Sequence, residues 1–286
     1  MPTLEITTMV GCPVMCSFCP QDNLRNAYNE NGAEKYLSYE NFTKIIDKVP
    51  LNVQIDFSGM AEPWVNDHCT EMVKYVLMKG YNIAVYTTLY NMKRDEVNVI
   101  TELLKKYSSQ VKELVIHLQD KNLNMKGLKF SDDWILTLNE FINLYNSKVM
   151  PNMYFMTMDE EAELHPDLSS LQNVVAQFKG ISRAGSLDLN KVNGQKVIVV
   201  NNKKGIIKCS YTDYYDHNFL LPNGDVLVCC MDYNKKHNFG NLLEQDYFEI
   251  FKGKGYTDLI TKNMNALGEN NNSICRQCER AVKANG

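Results

Sequence analysis

The chain has 286 residues, 44% hydrophobic and 22% charged, with a formal charge of −4. This is the composition of a globular protein with room for one large domain and a small one. The acidic balance and the lack of a basic run argue against a nucleic-acid partner, and no apolar stretch reaches the length of a membrane span. The first residues lack the basic and apolar regions of a signal peptide, so a cytoplasmic protein is expected.

In chain order, residues 4–10 alternate and carry β-branched side chains, predicting a first strand. Residues 21–35 are polar, with a turn signal at Asn31-Gly32. Ser38 then caps a helix over 39–48, whose apolar positions Phe42, Ile45, Ile46 and Val49 fall at helical spacing. Strands are predicted at 53–59, 82–88, 113–119 and 152–158, and helices at 67–79, 95–107, 131–146 and 167–178. Residues 180–183 supply a sixth strand. Strands alternating with helices imply a parallel sheet with crossover helices. Six such units fall short of the eight of a closed barrel.

Past Gly185 the pattern changes. Residues 197–201 form a short apolar run. Two apolar runs, 219–221 and 226–228, flank Pro222-Asn223-Gly224-Asp225, a strong hairpin signal. Helical stretches at 243–251 and 256–264 and a polar loop at 268–272 lead to Cys275-Arg276-Gln277-Cys278. The division is placed at residue 185, giving domains 1–185 and 186–286.

Nine cysteines in a cytosolic chain point to metal ligands or buried thiols rather than disulfides. Cys12, Cys16 and Cys19 lie in one loop at C-x3-C-x2-C spacing, with Phe18 just before the third. Three thiolates can hold three corners of a cubane iron–sulfur cluster and leave one iron free to bind another molecule. A zinc site with a distant fourth thiol is the alternative. Cys209, Cys229, Cys275 and Cys278 form a second set of four, suited to a second cluster or to zinc. Cys69 and Cys230 are expected to be buried packing thiols.

The C-x3-C-x-aromatic-C loop after a first strand resembles the signature of the radical S-adenosylmethionine (SAM) enzymes. The resemblance implies an α/β fold, a partial (β/α)6 TIM-like barrel. It implies that the open iron at Cys12, Cys16 and Cys19 chelates SAM, and that Phe18 packs near the adenine. Ser58-Gly59-Met60-Ala61-Glu62-Pro63 resembles the family's GGEP motif. It departs from the motif at Met60 and Ala61 but keeps Gly59, Glu62 and Pro63, which are expected to meet the amino group of SAM. Thr87, Thr88 and Asn91 follow the third strand, where relatives present polar groups to the ribose. Gly224-x4-Cys229 and Cys275-x2-Cys278 resemble the twitch domain, a shortened SPASM domain with one auxiliary cluster. The cofactors expected are therefore two [4Fe–4S] clusters and SAM.

His117 and Gln119 share the interior face of the fourth strand and are candidates to contact cofactor or substrate. Arg183-Ala184-Gly185-Ser186-Leu187 resembles an R-A-G-N-L segment at the barrel-to-SPASM junction, which makes Arg183 a candidate for binding a carboxylate or a substrate oxygen. The cysteine arrangement resembles that of the twitch-containing aminocyclitol alcohol dehydrogenases. An oxidoreductase acting on a small hydroxylated substrate is expected, with flavodoxin or ferredoxin as reductant. A radical SAM enzyme modifying a ribosomal peptide is the alternative, disfavoured by a first strand that opens at residue 4. A non-catalytic iron–sulfur or zinc protein is the reading from another class.

Overall fold

The computed structural model describes all residues except 30–33, 158–162, 177–179, 195–196, 266–271 and 285–286. Six short strands, β1 (Thr3–Ile6), β2 (Gln54–Phe57), β3 (Ile83–Thr87), β4 (Val111–His117), β5 (Met153–Met156) and β6 (Val175–Ala176), run parallel, each paired with the next. Their outward residues are buried on helices: Leu4, Ile55, Val85, Ile116 and Phe155 are fully covered.

Helices α1 (Gln21–Asn29), α2 (Tyr39–Ile46), α3 (Cys69–Lys79), α4 (Arg94–Lys106) and α5 (Asp132–Asn146) make the connections. Local chemistry sets their ends. The Ser38 hydroxyl accepts from the Asn41 N–H ahead of α2, and Ser131 does the same for Trp134 ahead of α5. Gly80 closes α3 at φ +94°, a conformation glycine adopts without steric cost. Each helix buries one stripe, such as Phe42, Ile45 and Ile46 of α2.

Several expectations change. The polar stretch after the cysteine loop is helical as α1, because Leu24 and Tyr28, four residues apart, are both buried in a cluster with Val10, Met60, Phe219, Leu221, Leu227 and Tyr233. The Asn31-Gly32 turn signal lies outside the described residues. The segment expected as an α-helix over 167–178 is a 3-10 helix, Pro166–Val174, that gives way to β6. The sixth barrel strand is therefore β6. Gly180–Ile181, here β7, leaves the main sheet and pairs with β8 (Val197–Ile198). Of the helix expected at 243–251, only a 3-10 turn at Tyr247–Phe251 forms.

The remaining elements are β9 (Ile207–Cys209), β10 (His217–Leu220), β11 (Asp225–Leu227), β12 (Asn238–Asn241), α6 (Lys254–Met264) and β13 (Ala281–Lys283). The predicted hairpin is β10–β11. Gly224 sits at φ +87° in its turn, where the Gly224 N–H donates to the Leu221 carbonyl. The hairpin does not stand apart. β10 lies parallel against β1, with Glu5 beside Phe219, so the sheet runs β12-β11-β10-β1-β2-β3-β4-β5-β6. β13 pairs with β9, placing Ala281 opposite Cys209. No helix among the described residues is long and apolar enough to cross a membrane.

Candidate active site

One cavity of about 1120 Å³ opens along the interior of the parallel strands and past their carboxyl ends. All seven predicted ligand cysteines line it: Cys12, Cys16 and Cys19 on one side, Cys209, Cys229, Cys275 and Cys278 on the other. The chain between the two sets is long, but β10 against β1 brings them to one space.

The three-cysteine loop leaves β1 through Thr7 and Thr8. The Cys19 N–H donates to the Cys16 carbonyl at 3.1 Å, and the Glu62 N–H donates to the Cys12 sulfur at 3.4 Å. Burial pushes the Cys12 thiol up to about 12. The Cys16 thiol donates to the Cys19 sulfur. That bond, the Arg183 charge and the Tyr233 hydroxyl outweigh burial and draw Cys19 down to about 6. Three convergent sulfurs, one already biased to thiolate, are a donor set that fits an iron–sulfur cluster with one iron left to another ligand. Among the described residues, no three Cys, His, Asp or Glu side chains are arranged to hold a single metal ion.

The second set forms where β9, the segment after β11, and the Cys275–Cys278 turn meet. Burial raises the Cys229 thiol most, and the charges of Cys230, Cys275 and Cys278 add to it. Cys209 accepts from the Tyr211 N–H at 3.4 Å and Cys278 from the Arg280 N–H at 3.3 Å. Four cysteines can close a cluster completely.

The GGEP-like segment sits between β2 and α3. Gly59 has φ +45°, and a Cβ there would lie 2.3 Å from the Ile6 carbonyl oxygen, so only glycine fits. Glu62 is 5% exposed and accepts from the Thr87 hydroxyl (2.5 Å), the Thr88 N–H (2.7 Å) and the Thr88 hydroxyl (2.8 Å). Burial dominates these bonds and pushes its carboxyl up to about 7. Phe18, Gly59, Glu62, Thr87 and Thr88 all line the cavity. The two threonines hold Glu62 instead of offering free hydroxyls.

Three expected cofactor contacts lie elsewhere. Asn91 is exposed and its amide donates to the Trp64 carbonyl, because the chain turns away after Leu89. Gln119 is buried, exchanging two bonds with the Met125 backbone, since β4 ends at His117 and the alternation ends with it. Pro63 opens a buried 3-10 turn and its carbonyl accepts from Thr8. None of the three lines the cavity.

His117 and Arg183 do line it. Burial, followed by the Arg183 charge, lowers His117 to about 4, so its ring is neutral. Burial disfavours the Arg183 charge, but Tyr233, Cys19, Cys230 and Glu5 outweigh burial and keep the guanidinium protonated. Cys230, expected to be a packing thiol, also faces the cavity. Cys69 is buried as expected.

The far wall was not foreseen. Glu5, Asp56 and Glu113 occupy one row of the sheet, in register through Ala84. Glu5 pairs with His217 Nε2 at 2.5 Å and accepts from Ser58, while Glu113 accepts from Tyr86. Burial, then the Glu5 charge, pushes Asp56 up to about 7. Burial acts to lower His217, but the Glu5 bond and the charges of Glu5, Asp56 and Asp216 together outweigh it and raise its pKa. For two of the three, the available signal was a lone acid between apolar neighbours in a short strand, Leu4-Glu5-Ile6 and Ile55-Asp56-Phe57.

A family model for the SPASM iron–sulfur cluster-binding domain matches residues 209–279, a span that contains all four cysteines of the second set. Among solved structures, the chain is similar to BtrN in complex with AdoMet and 2-DOIA, at 16% identity and a TM-score of 0.55, over 98% of this chain and 96% of that one. It is also similar to BtrN in an open conformation, at 14% identity and a TM-score of 0.52, over 98% and 96%. Native anSMEcpe with bound AdoMet matches at 12% identity and a TM-score of 0.50, over 97% and 86%. No curated protein matches the chain. The chain shares the overall fold of these structures, a partial barrel of parallel strands followed by a region that matches the cluster-binding family model.

Proposed function

We propose that this chain is a radical SAM oxidoreductase that oxidises a small hydroxylated substrate, sugar- or cyclitol-like, at a C–H bond beside a hydroxyl. The observation that carries the reading is the single cavity onto which both thiol sets open, with a polar wall beside them. The AdoMet bound to the similar structures supports SAM as the cofactor. With SAM bound, a reduced cluster on Cys12, Cys16 and Cys19 would supply a 5′-deoxyadenosyl radical, and a second [4Fe–4S] cluster on Cys209, Cys229, Cys275 and Cys278 would accept an electron.

The remaining roles belong to the chain. Phe18, Gly59 and Glu62 line the place where SAM would lie. Arg183 is charged and faces the cavity, so it would bind the substrate oxygen and favour its ionised form. His117 is neutral and can accept a proton from the hydroxyl. Glu5, Ser58, Asp56 and His217 form a wall of donors and acceptors suited to a polyol and poorly suited to an apolar molecule. Flavodoxin or ferredoxin would supply the electron that begins turnover. A second reading, a single peptide side chain inserted as substrate, draws on the size of the cavity, about 1120 Å³.

Anaerobic reconstitution with iron and sulfide tests the proposal. The expected result is eight irons per chain, as two [4Fe–4S] clusters require, and 5′-deoxyadenosine on adding SAM and a reductant. Zinc at Cys12, Cys16 and Cys19, or no deoxyadenosine, overturns it.

A further inference from the structure

Arg183, Ala184 and Gly185 take φ of 53°, 51° and 75°. Two successive non-glycine residues in the left-handed region crowd Cβ against the next carbonyl and persist only where their surroundings impose it. Those surroundings come from three parts of the chain. The Ser182 N–H and hydroxyl both donate to Glu279 Oε1, one residue past Cys278. The Gly185 N–H donates to the Ser182 hydroxyl oxygen at 3.0 Å, and the Leu187 N–H to the Ser182 carbonyl at 3.0 Å. Asn23 of α1 donates to the Ser186 carbonyl, and Asn234 donates to the Ser186 hydroxyl, both at 3.3 Å.

Glu279 is itself held in a rigid place. Arg276, 1% exposed, donates to the carbonyls of Lys203 (3.0 Å), Lys262 (2.8 Å) and Asn265 (3.0 Å), which fixes the C-x-x-C turn. The second oxygen of Glu279 is buried with no hydrogen-bond partner among the described residues. The bond to Ser182 is thus kept at a cost, since a buried carboxylate oxygen left unpaired is unfavourable.

We propose that Glu279 is a positioning residue for Arg183: it pins the strained turn to the C-x-x-C segment, so the guanidinium takes its place in the cavity only when that segment is folded. The inference rests on the reading above only in treating Arg183 as facing substrate. It couples the second cysteine set to the substrate side of the first.

The test uses the full chain, reconstituted anaerobically, with Glu279→Ala, Glu279→Gln, Ser182→Ala and Arg183→Gln. Glu279→Gln keeps the acceptor oxygen and should protect the Gly185 and Leu187 amides from hydrogen exchange as the parent does. Glu279→Ala should speed exchange at both by about tenfold, the loss of roughly one hydrogen bond. With iron content unchanged, Glu279→Ala should also lower the midpoint potential of the cluster beside Cys19 relative to Glu279→Gln, in the direction set by Arg183→Gln. It should add nothing further in an Arg183→Gln background.

Unchanged exchange, a potential shift additive with Arg183→Gln, or loss of iron from the second set each overturns the proposal. Ser182→Ala removes the hydroxyl bond to Glu279 but also the acceptor of the Gly185 N–H, so if Glu279→Ala does not fold, exchange at Leu187 and the potential of Ser182→Ala carry the test, with the same outcomes. Absence of deoxyadenosine from the parent would instead sink the enzymatic reading and leave the exchange result standing.

Discussion

Asp56→Asn should stabilise the protein, and by an amount that depends on pH. Asp56 is 4% exposed, and burial together with the Glu5 charge moves its carboxyl from 3.8 to about 7. A gap of about three units, at ~1.4 kcal/mol each, gives an upper bound of ~4 kcal/mol. The folded value lies above the unfolded one, so the folded chain holds this proton more tightly. The group's stabilisation is complete below about pH 4 and is lost as pH rises through about 7. Asparagine keeps the acceptor for the Gln54 amide, which stands at 2.7 Å, and never ionises. The variant should therefore exceed the parent by up to ~4 kcal/mol at about pH 8, by under ~2 kcal/mol at about pH 5, and by almost nothing at about pH 3.

Urea unfolding of the reconstituted chain, followed by fluorescence of buried Trp64 and Trp134, measures this difference. An equal gain at pH 8 and 5, or none at pH 8, would refute the reasoning. The same variant should bind substrate less well, because stability withheld from an active-site wall is commonly exchanged for function.

Cys16→Ala should abolish deoxyadenosine formation, whereas Cys278→Ala should halve the iron content and spare much of the uncoupled SAM cleavage; retained cleavage in the first variant would contradict the ligand assignment. Gly59→Ala should destabilise the fold by more than ~3 kcal/mol, read as a lowered urea midpoint, because its Cβ meets the backbone of Ile6 and Thr7. Thr87→Val removes one of the bonds to Glu62 and should weaken SAM binding by roughly tenfold, measured by equilibrium binding to the reconstituted chain.

The alternating barrel units were readable because each strand's buried residues and each helix's stripe carry their own period. Leu4, Ile55 and Val85 face helices that repeat at 3.6, and the strand assignments follow. What failed was local pattern without a long-range partner. Leu24 and Tyr28 are too few to mark α1 until Phe219, Leu221 and Leu227, far along the chain, cover them. The pairing of β10 with β1 depends on a contact more than two hundred residues away in sequence, which no window can hold.

The site divides in the same way. Cysteine spacing, Gly59 and Glu62 carry local signals, and the structure brings all of these residues to the cavity. Glu5, Asp56 and Glu113 become a wall only through the register of three strands. Gln119 was assigned by extending a strand past its end, whereas Asn91 was assigned from the resemblance, as part of the segment that follows the third strand.

β1 is an inner strand only because β10 covers its flank. A protein cut at residue 185 would leave a bare row of amides and carbonyls beside the strand that feeds the cysteine loop, open to pairing with any passing chain. Discarding the carboxyl-terminal third would thus produce an aggregating fragment, and a lineage that lost the second cysteine set would still have to keep the hairpin beside it.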